Sequence, residues 1–296
     1  MPISNILKFY NKLKLIFKEV IIIKYYNEVK SKEGYIYSLD MVRLNLEFFE
    51  DKIQGFVSWL NNVDTYKDGI EVKHWVSFKE FTYRDMFNVT LSDCSFVFAI
   101  GFNGSSENRY KGFIEFNPNK CMCNLHFKEI LDKLFLICLH REISRFDLAI
   151  DIPVPKYLVR LDKDGRNYQY LKSKESESEY LGIRNKPGFV KLYDKTKEAK
   201  LDYDLTRLEI TANLDGINFP CVKIKSLQQN LIFNDLNSTE RVLVQLLDLV
   251  DNKKMYLSQL NYRKRKKIEE CLGEETLQLD KNAYCKILKQ AILFQY

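Results

Sequence analysis

A chain of 296 residues with 46% hydrophobic and 29% charged content can bury a large core, which excludes disorder as its default state. A formal net charge of +6 does not by itself mark a nucleic-acid binder, so the distribution of charge matters more than its sum. Seven cysteines at irregular spacings argue against a disulfide framework, and the early apolar stretch Val20 to Ile23, bounded by Lys18 and Lys24, is far too short to span a bilayer. With no small-residue cleavage site near the start, the expectation is a cytoplasmic protein with no membrane role.

Residues 1–34 read as a basic amphipathic helical segment, with Ile6, Phe9, Leu13, Ile16, Phe17 and Val20 near helical spacing. From Tyr35 the pattern changes. Asp40 to Phe48 alternates polar and apolar residues, Phe56 to Leu60 suits a helix, and Val72 to Phe81, Tyr83 to Leu91 and Phe96 to Phe102 are β-rich. A second round follows: strand Gly112 to Phe116, a turn at Asn117-Pro118-Asn119, helix Leu125 to Leu139, then strands Ile143 to Ile152, Phe189 to Tyr193 and Leu205 to Asn213. Leu161 to Glu179 is polar and lacks apolar periodicity, which predicts a surface connection. After Pro220 the strand signal stops, and Ser238 to Val250, Tyr256 to Leu272 and Lys281 to Phe294 have helical spacing. The expected fold class is α+β, an antiparallel sheet with helices on one face built from two β-α-β-like units. The expected domains are an N-terminal segment (1–34), a catalytic domain (35–220) and a small helical domain, winged or not (221–296).

Two predicted strands carry charge on one face. Arg145, Asp147 and Asp151 oppose Phe146, Leu148 and Ile150, while Arg207, Glu209 and Thr211 oppose Leu208 and Ile210. If the strands pair, Asp147 and Glu209 converge and can bind a hard divalent cation. Asp151 is a further ligand candidate, although it lies roughly 13 Å from Asp147 along a straight strand, too far to share one ion easily. Salt bridges across a solvated sheet account for the same charges. A third segment, Glu179 to Arg184 followed by Gly188 to Lys195, predicts a hairpin whose second strand points Phe189, Lys191 and Tyr193 to one side. A tyrosine beside cations and a metal can attack a phosphodiester, whereas a strand tyrosine by itself is usually packing.

Taken in order, Arg145–Asp151, Tyr180–Arg184, Phe189–Glu198 and Thr206–Ile210 resemble the replication initiation factor family, the Rep-trans group of rolling-circle initiators and related conjugative nickases. Phe113 to Lys120 is similar to a further segment of such initiators. The resemblance covers roughly Phe113 to Asn213. It implies an endonuclease that recognises a plasmid or phage origin, nicks one strand through a tyrosine and keeps the 5′ phosphate, leaving a 3′ hydroxyl to prime synthesis. On that resemblance Asp147 and Glu209 are metal ligands and Tyr193 is the nucleophile, with Tyr180 its rival. Arg145, Lys191, Lys195 and Arg207 contact phosphate. Ile183 stands where the family's turn has serine. His74, His126 and His140 form no His-hydrophobe-His pair, so the expected cofactor is Mg²⁺ or Mn²⁺ rather than Zn²⁺. Cys121-Met122-Cys123 has no second half at zinc spacing.

Near the C-terminus, Arg263, Lys264, Arg265, Lys266 and Lys267 form an unbroken cationic run, with Lys253 and Lys254 upstream and Tyr262 beside it. A solvated helix face accounts for such a run; beside a nickase, phosphate contact does so better. These residues and Arg184 are the candidate DNA-binding set, for double- and single-stranded origin DNA. No P-loop is present, so a host helicase is an expected partner, and a homodimer is compatible. The alternatives are a conjugative relaxase and a non-catalytic sequence-specific DNA-binding regulator.

Overall fold

The structure, a computed structural model, describes residues 28–63, 67–76, 85–102, 109–250, 252–292 and 294. The helical segment expected at the N-terminus falls almost wholly outside them, and its described end holds a short strand, β1 (Glu28–Lys30). The strand expected up to Phe81 is described only as far as 76.

The chain forms a large antiparallel sheet. In chain order it comprises β1, β2 (Ile36–Phe49), helix α1 (Glu50–Leu60), β3 (Ile70–Val76), β4 (Asp85–Leu91), β5 (Ser95–Phe102) and β6 (Arg109–Phe116). Helices α2 (Pro118–Cys121) and α3 (Leu125–Ile137) lead to β7 (Cys138–Ile152). After the short strand β8 (Val159–Leu161) come β9 (Tyr168–Lys172), β10 (Glu177–Leu181), β11 (Val190–Asp194), helix α4 (Lys195–Ala199) and β12 (Thr206–Ala212). The order across the sheet is β3-β4-β5-β6-β2-β7-β12-β11-β10-β9, with β1 paired to β2. Every neighbouring pair is antiparallel, so β2 and β3, joined through α1, run parallel, as do β6 and β7, joined through α3. These are the two β-α-β-like units of the expected α+β class.

One face of the sheet is apolar. Val42, Leu44, Leu46 and Phe48 of β2 share a core with Ile53, Phe56 and Leu60 of α1 and with Phe127, Ile130, Leu131 and Leu134 of α3. Asn117 and Asn124 cap α2 and α3 by accepting from Lys120 N and Phe127 N, which fixes where each helix begins. A register shift between Leu39 and Met41 puts one extra residue, Asp40, into β2. Buried apolar positions are odd before it (Tyr37, Leu39) and even after it (Val42, Leu44), the phase change a bulge imposes.

The polar connection expected over Leu161 to Glu179 instead contains strand β9 and the start of β10, which pair to form the sheet edge. Four of its five residues are exposed, and an edge strand with no buried face carries no alternation to read. Strands also persist beyond Pro220. β13 (Val222–Ile224) and β14 (Glu275–Thr276) join β8 in a second sheet, too short to leave a periodic signal. Between them lie α5 (Leu227–Asn234), α6 (Ser238–Asp248), α7 (Lys253–Ser258) and α8 (Tyr262–Leu272), around a small core of Leu236, Val244, Leu247, Leu257, Ile268 and Cys271. The cap of α6 is Asn237 with Glu240, a full capping box. The last helix, α9 (Lys281–Ile292), leaves this unit. Its Ala283, Ile287 and Ala291 belong to the main core, and Asp280 N donates to the Tyr37 hydroxyl at 2.7 Å. The expected domain over 221–296 is therefore split, because the apolar stripe of α9 is buried against the large sheet. Among the described residues no helix is long and apolar enough to cross a membrane.

Candidate functional site

The face opposite the helices collects the charged residues, because strands alternate and β7, β12, β11 and β10 are neighbours. One cross-strand row runs Tyr180, Lys191, Glu209, Ala149. The adjacent row runs Ser178, Tyr193, Arg207, Asp151. Asp147 lies opposite Thr211, diagonal to Glu209.

Tyr193 is buried, and its hydroxyl donates to Glu209 Oε1 at 2.6 Å. The Lys191 ammonium lies 3.7 Å from the Tyr193 ring centroid and 3.9 Å from Glu209 Oε2, while Lys195 is 5.7 Å from the same ring and pairs with Glu198. Burial, and then the Glu209 charge and its hydrogen bond, push the Tyr193 phenol well above its ordinary value. Glu209 is raised too, first by burial and further by Asp40, with Lys191 opposing. Asp147 is raised by burial, opposed by Thr211 and Arg145 and reinforced by Asp40 and Glu115. Its Oδ1 is buried without a hydrogen-bond partner.

Arg207 sits in a carboxylate clamp, donating through Nε and Nη2 to both oxygens of Asp151 at 2.6 and 2.8 Å and through Nη1 to Asp40 at 3.2 Å. Burial works against the Arg207 charge, but the Asp151 hydrogen bonds outweigh it and hold the guanidinium protonated. Asp151, a metal-ligand candidate on sequence, is thus an arginine partner with both oxygens engaged. Arg145 donates to Glu115 at 2.9 Å and to the Asn185 carbonyl at 3.2 Å, tying the β10–β11 loop to β7. That loop needs Gly182 at φ +87°, where a Cβ would stand 3.2 Å from the Gly188 carbonyl oxygen. Arg184 is exposed on it. Tyr180 is half-exposed, its ring stacked on Phe189 at 6.0 Å between centroids, and its hydroxyl makes no hydrogen bond among the described residues.

Three residues at the site had no role assigned from sequence: Asp40, Asn117 and Glu115. Asn117 Nδ2 donates to Asp40 Oδ1 at 3.2 Å, so the cap of α2 also steadies the site. Glu115 was legible from its alternation with Ile114 and Phe116; Asp40 was not, because only the bulge turns it toward Arg207. Among the described residues, no group of three or more His, Cys, Asp and Glu side chains is arranged to hold a metal ion.

The cationic run falls on α8, one short turn after α7. Arg265 pairs with Glu269 at 3.9 Å, and Lys267 reaches the Asp235 carbonyl at 3.2 Å and Glu240 at 3.8 Å. Upstream, Lys253 pairs with Asp248 at 3.1 Å. Lys254, Arg263, Lys264 and Lys266 are exposed and make no ion pair among the described residues, and Tyr262 is exposed beside them.

No family model matches the chain, and no curated protein matches it. Among solved structures it is similar to that of a rolling circle replication initiator protein from Geobacillus stearothermophilus, at 14% identity and a TM-score of 0.34, covering 75% of this chain and 91% of that one.

Proposed function

We propose that this chain is a rolling-circle replication initiator that binds a plasmid or phage origin and nicks one strand by tyrosine transesterification, forming a 5′-phosphotyrosine link. The observation that carries this reading is one sheet face on which two tyrosines, the raised carboxyls Asp147 and Glu209, and Lys191, Arg145 and Arg207 come together from three separate segments. Cross-strand salt bridges explain Arg207 with Asp151. They leave Asp147 Oδ1 buried and unpartnered, and Tyr180, opposite Lys191 in the strand register, with a hydroxyl that makes no hydrogen bond among the described residues.

Burial supports Tyr180, the rival in the sequence reading, over Tyr193 as the nucleophile of this proposal. A nucleophile must reach phosphorus, and Tyr193 is 4% exposed with its proton committed to Glu209. Tyr180 is the accessible phenol. Its oxygen bonds to phosphorus as the P–O3′ bond breaks. The phenolic proton passes to water, Lys191, opposite Tyr180 on the neighbouring strand, offsets the phosphate charge, and the 3′ oxygen leaves as a hydroxyl with a proton from water. Tyr193 and Arg207 are then positioning residues. Asp147 and Glu209 would hold Mg²⁺ or Mn²⁺. Two hard carboxylates, one with a buried unpartnered oxygen, would suit such an ion. When bound, it supplies charge neutralisation at the phosphate oxygens.

In this reading α7 and α8 grip the duplex as a helix-turn-helix or winged variant, a host helicase opens the strands, and the protein works in the cytoplasm, as a homodimer or alone. A conjugative relaxase would use the same chemistry on transfer DNA.

The test incubates a supercoiled plasmid carrying the protein's own gene and flanking DNA with Mg²⁺ or Mn²⁺ and wild type, Tyr180→Phe or Tyr193→Phe protein. A denaturing gel then reveals covalent adducts. The adduct is expected to vanish in Tyr180→Phe and to survive at a reduced rate in Tyr193→Phe. Loss only in Tyr193→Phe returns the nucleophile to that residue. Duplex binding with no cleavage in either metal makes the chain a non-catalytic regulator.

A further inference from the structure

Glu179 is an acid on the wrong side of its strand. Its neighbour Tyr180 faces the polar surface, so Glu179 points into the core side of β10, where it is 3% exposed. There it accepts from Lys156 Nζ at 2.5 Å, from the backbone N of Leu161 at 2.9 Å and from the Tyr168 hydroxyl at 3.1 Å. Lys156, also 3% exposed, gives a second hydrogen bond to the Val159 carbonyl at 2.9 Å. Replacing such a network by apolar side chains would fold about as well, so the pair is better understood as selecting one arrangement than as adding stability.

The arrangement it selects joins two parts of the molecule. Lys156 and Leu161 bracket β8, and β8 pairs with β13, which pairs with β14. The helices α5 to α8 are strung between β13 and β14. A second latch on the same strand repeats the connection, since Arg160 reaches Glu274 Oε2 through Nε at 2.8 Å and Nη2 at 2.5 Å. The cationic α8 is thereby tied, through the small sheet and Glu179, to the residue adjoining Tyr180.

We propose that Lys156 and Glu179 are positioning residues that set the register between the duplex held by α8 and the phosphodiester presented to β10, and so decide which phosphate is cut. This rests on the nicking reading above. A misplacement of the duplex by one ångström relative to a nucleophile costs on the order of 100-fold in rate, so a buried, directional and fully satisfied link is the kind of connection this geometry requires.

The experiment uses the full chain and the same plasmid, comparing wild type with Glu179→Gln, with Lys156→Met/Glu179→Gln, and with Arg160→Met, whose half-exposed side chain carries little folding risk. Duplex binding, adduct yield and the position of the nicked 5′ end by primer extension are measured, with thermal unfolding alongside. The expected result is unchanged duplex affinity with adduct formation lowered by on the order of 10-fold and 5′ ends spread over neighbouring phosphates. A single unchanged nick position with an unchanged ratio of nicking to binding overturns the proposal. So does a loss of binding and nicking that merely tracks a lowered Tm in all three variants. If wild type gives no adduct, the nicking reading itself fails, which the wild-type lane separates from failure of the register proposal.

Discussion

The two faces of the large sheet are made by the same strands and do opposite things with adjacent residues. On β7, Phe146 is fully buried among the helices, while Asp147, the next residue, lies on the face that carries Tyr180, Lys191 and Glu209. The helix side gains from each apolar group removed from water. The other side holds carboxyls in surroundings that favour their neutral forms. A strand therefore separates an apolar core from a charged face by a single residue step, and the cost of the poorly solvated carboxyls is borne by the core directly behind them.

The strongest challenge to that comparison is Phe146→Ala. It should cost about 3–5 kcal/mol in denaturant unfolding, because a fully buried ring leaves a cavity that the surrounding β2 and β12 residues cannot fill. A cost below about 1 kcal/mol would mean the helix side is not the one that holds the fold.

A smaller effect separates the sheet from the helical unit. Replacing Arg263, Lys264 and Lys266 together by alanine should leave the unfolding curve unmoved and lower the slope of log affinity against log salt for duplex DNA by roughly 2–3, about 0.9 per phosphate contact. An unchanged slope would reduce α8 to a solvated helix.

The smallest expected effect is the sharpest, because its sign is opposite on the two faces. The carboxyl of Asp147 is raised in the folded chain, so folding favours its protonated form. Its contribution is neutral below the ordinary carboxylate value and becomes a penalty as pH rises through that value toward the folded one. Asp147→Asn should therefore raise Tm by a few degrees at about pH 7 and leave it unchanged at about pH 3, while adduct formation falls. A lower Tm at neutral pH would show that the ionised carboxylate is stabilised where it stands. Mg²⁺ should raise the wild-type Tm at neutral pH and lose that effect in Asp147→Asn, as it does for an ion that binds only the folded state.

Period-two alternation told which residues of β2, β7 and β12 share a face, because strand geometry alone decides that. The Arg145, Asp147 and Arg207, Glu209 sets were legible for this reason, as was the hairpin that brings Lys191 and Tyr193 beside them. The α3 helix was legible from its apolar spacing, and the cationic run from composition. Strand order across the sheet, the exposure of Tyr180 against the burial of Tyr193, and the capture of Asp151 by Arg207 depend on which strands become neighbours, a long-range matter that local pattern does not encode. The turn of Asp40 into the site needs a bulge, β9 is an edge strand with no buried face, and β13 and β14 are too short to repeat a two-residue period. Helix α9 has an apolar stripe that would fit either core, and only tertiary packing decided that it belongs to the large sheet.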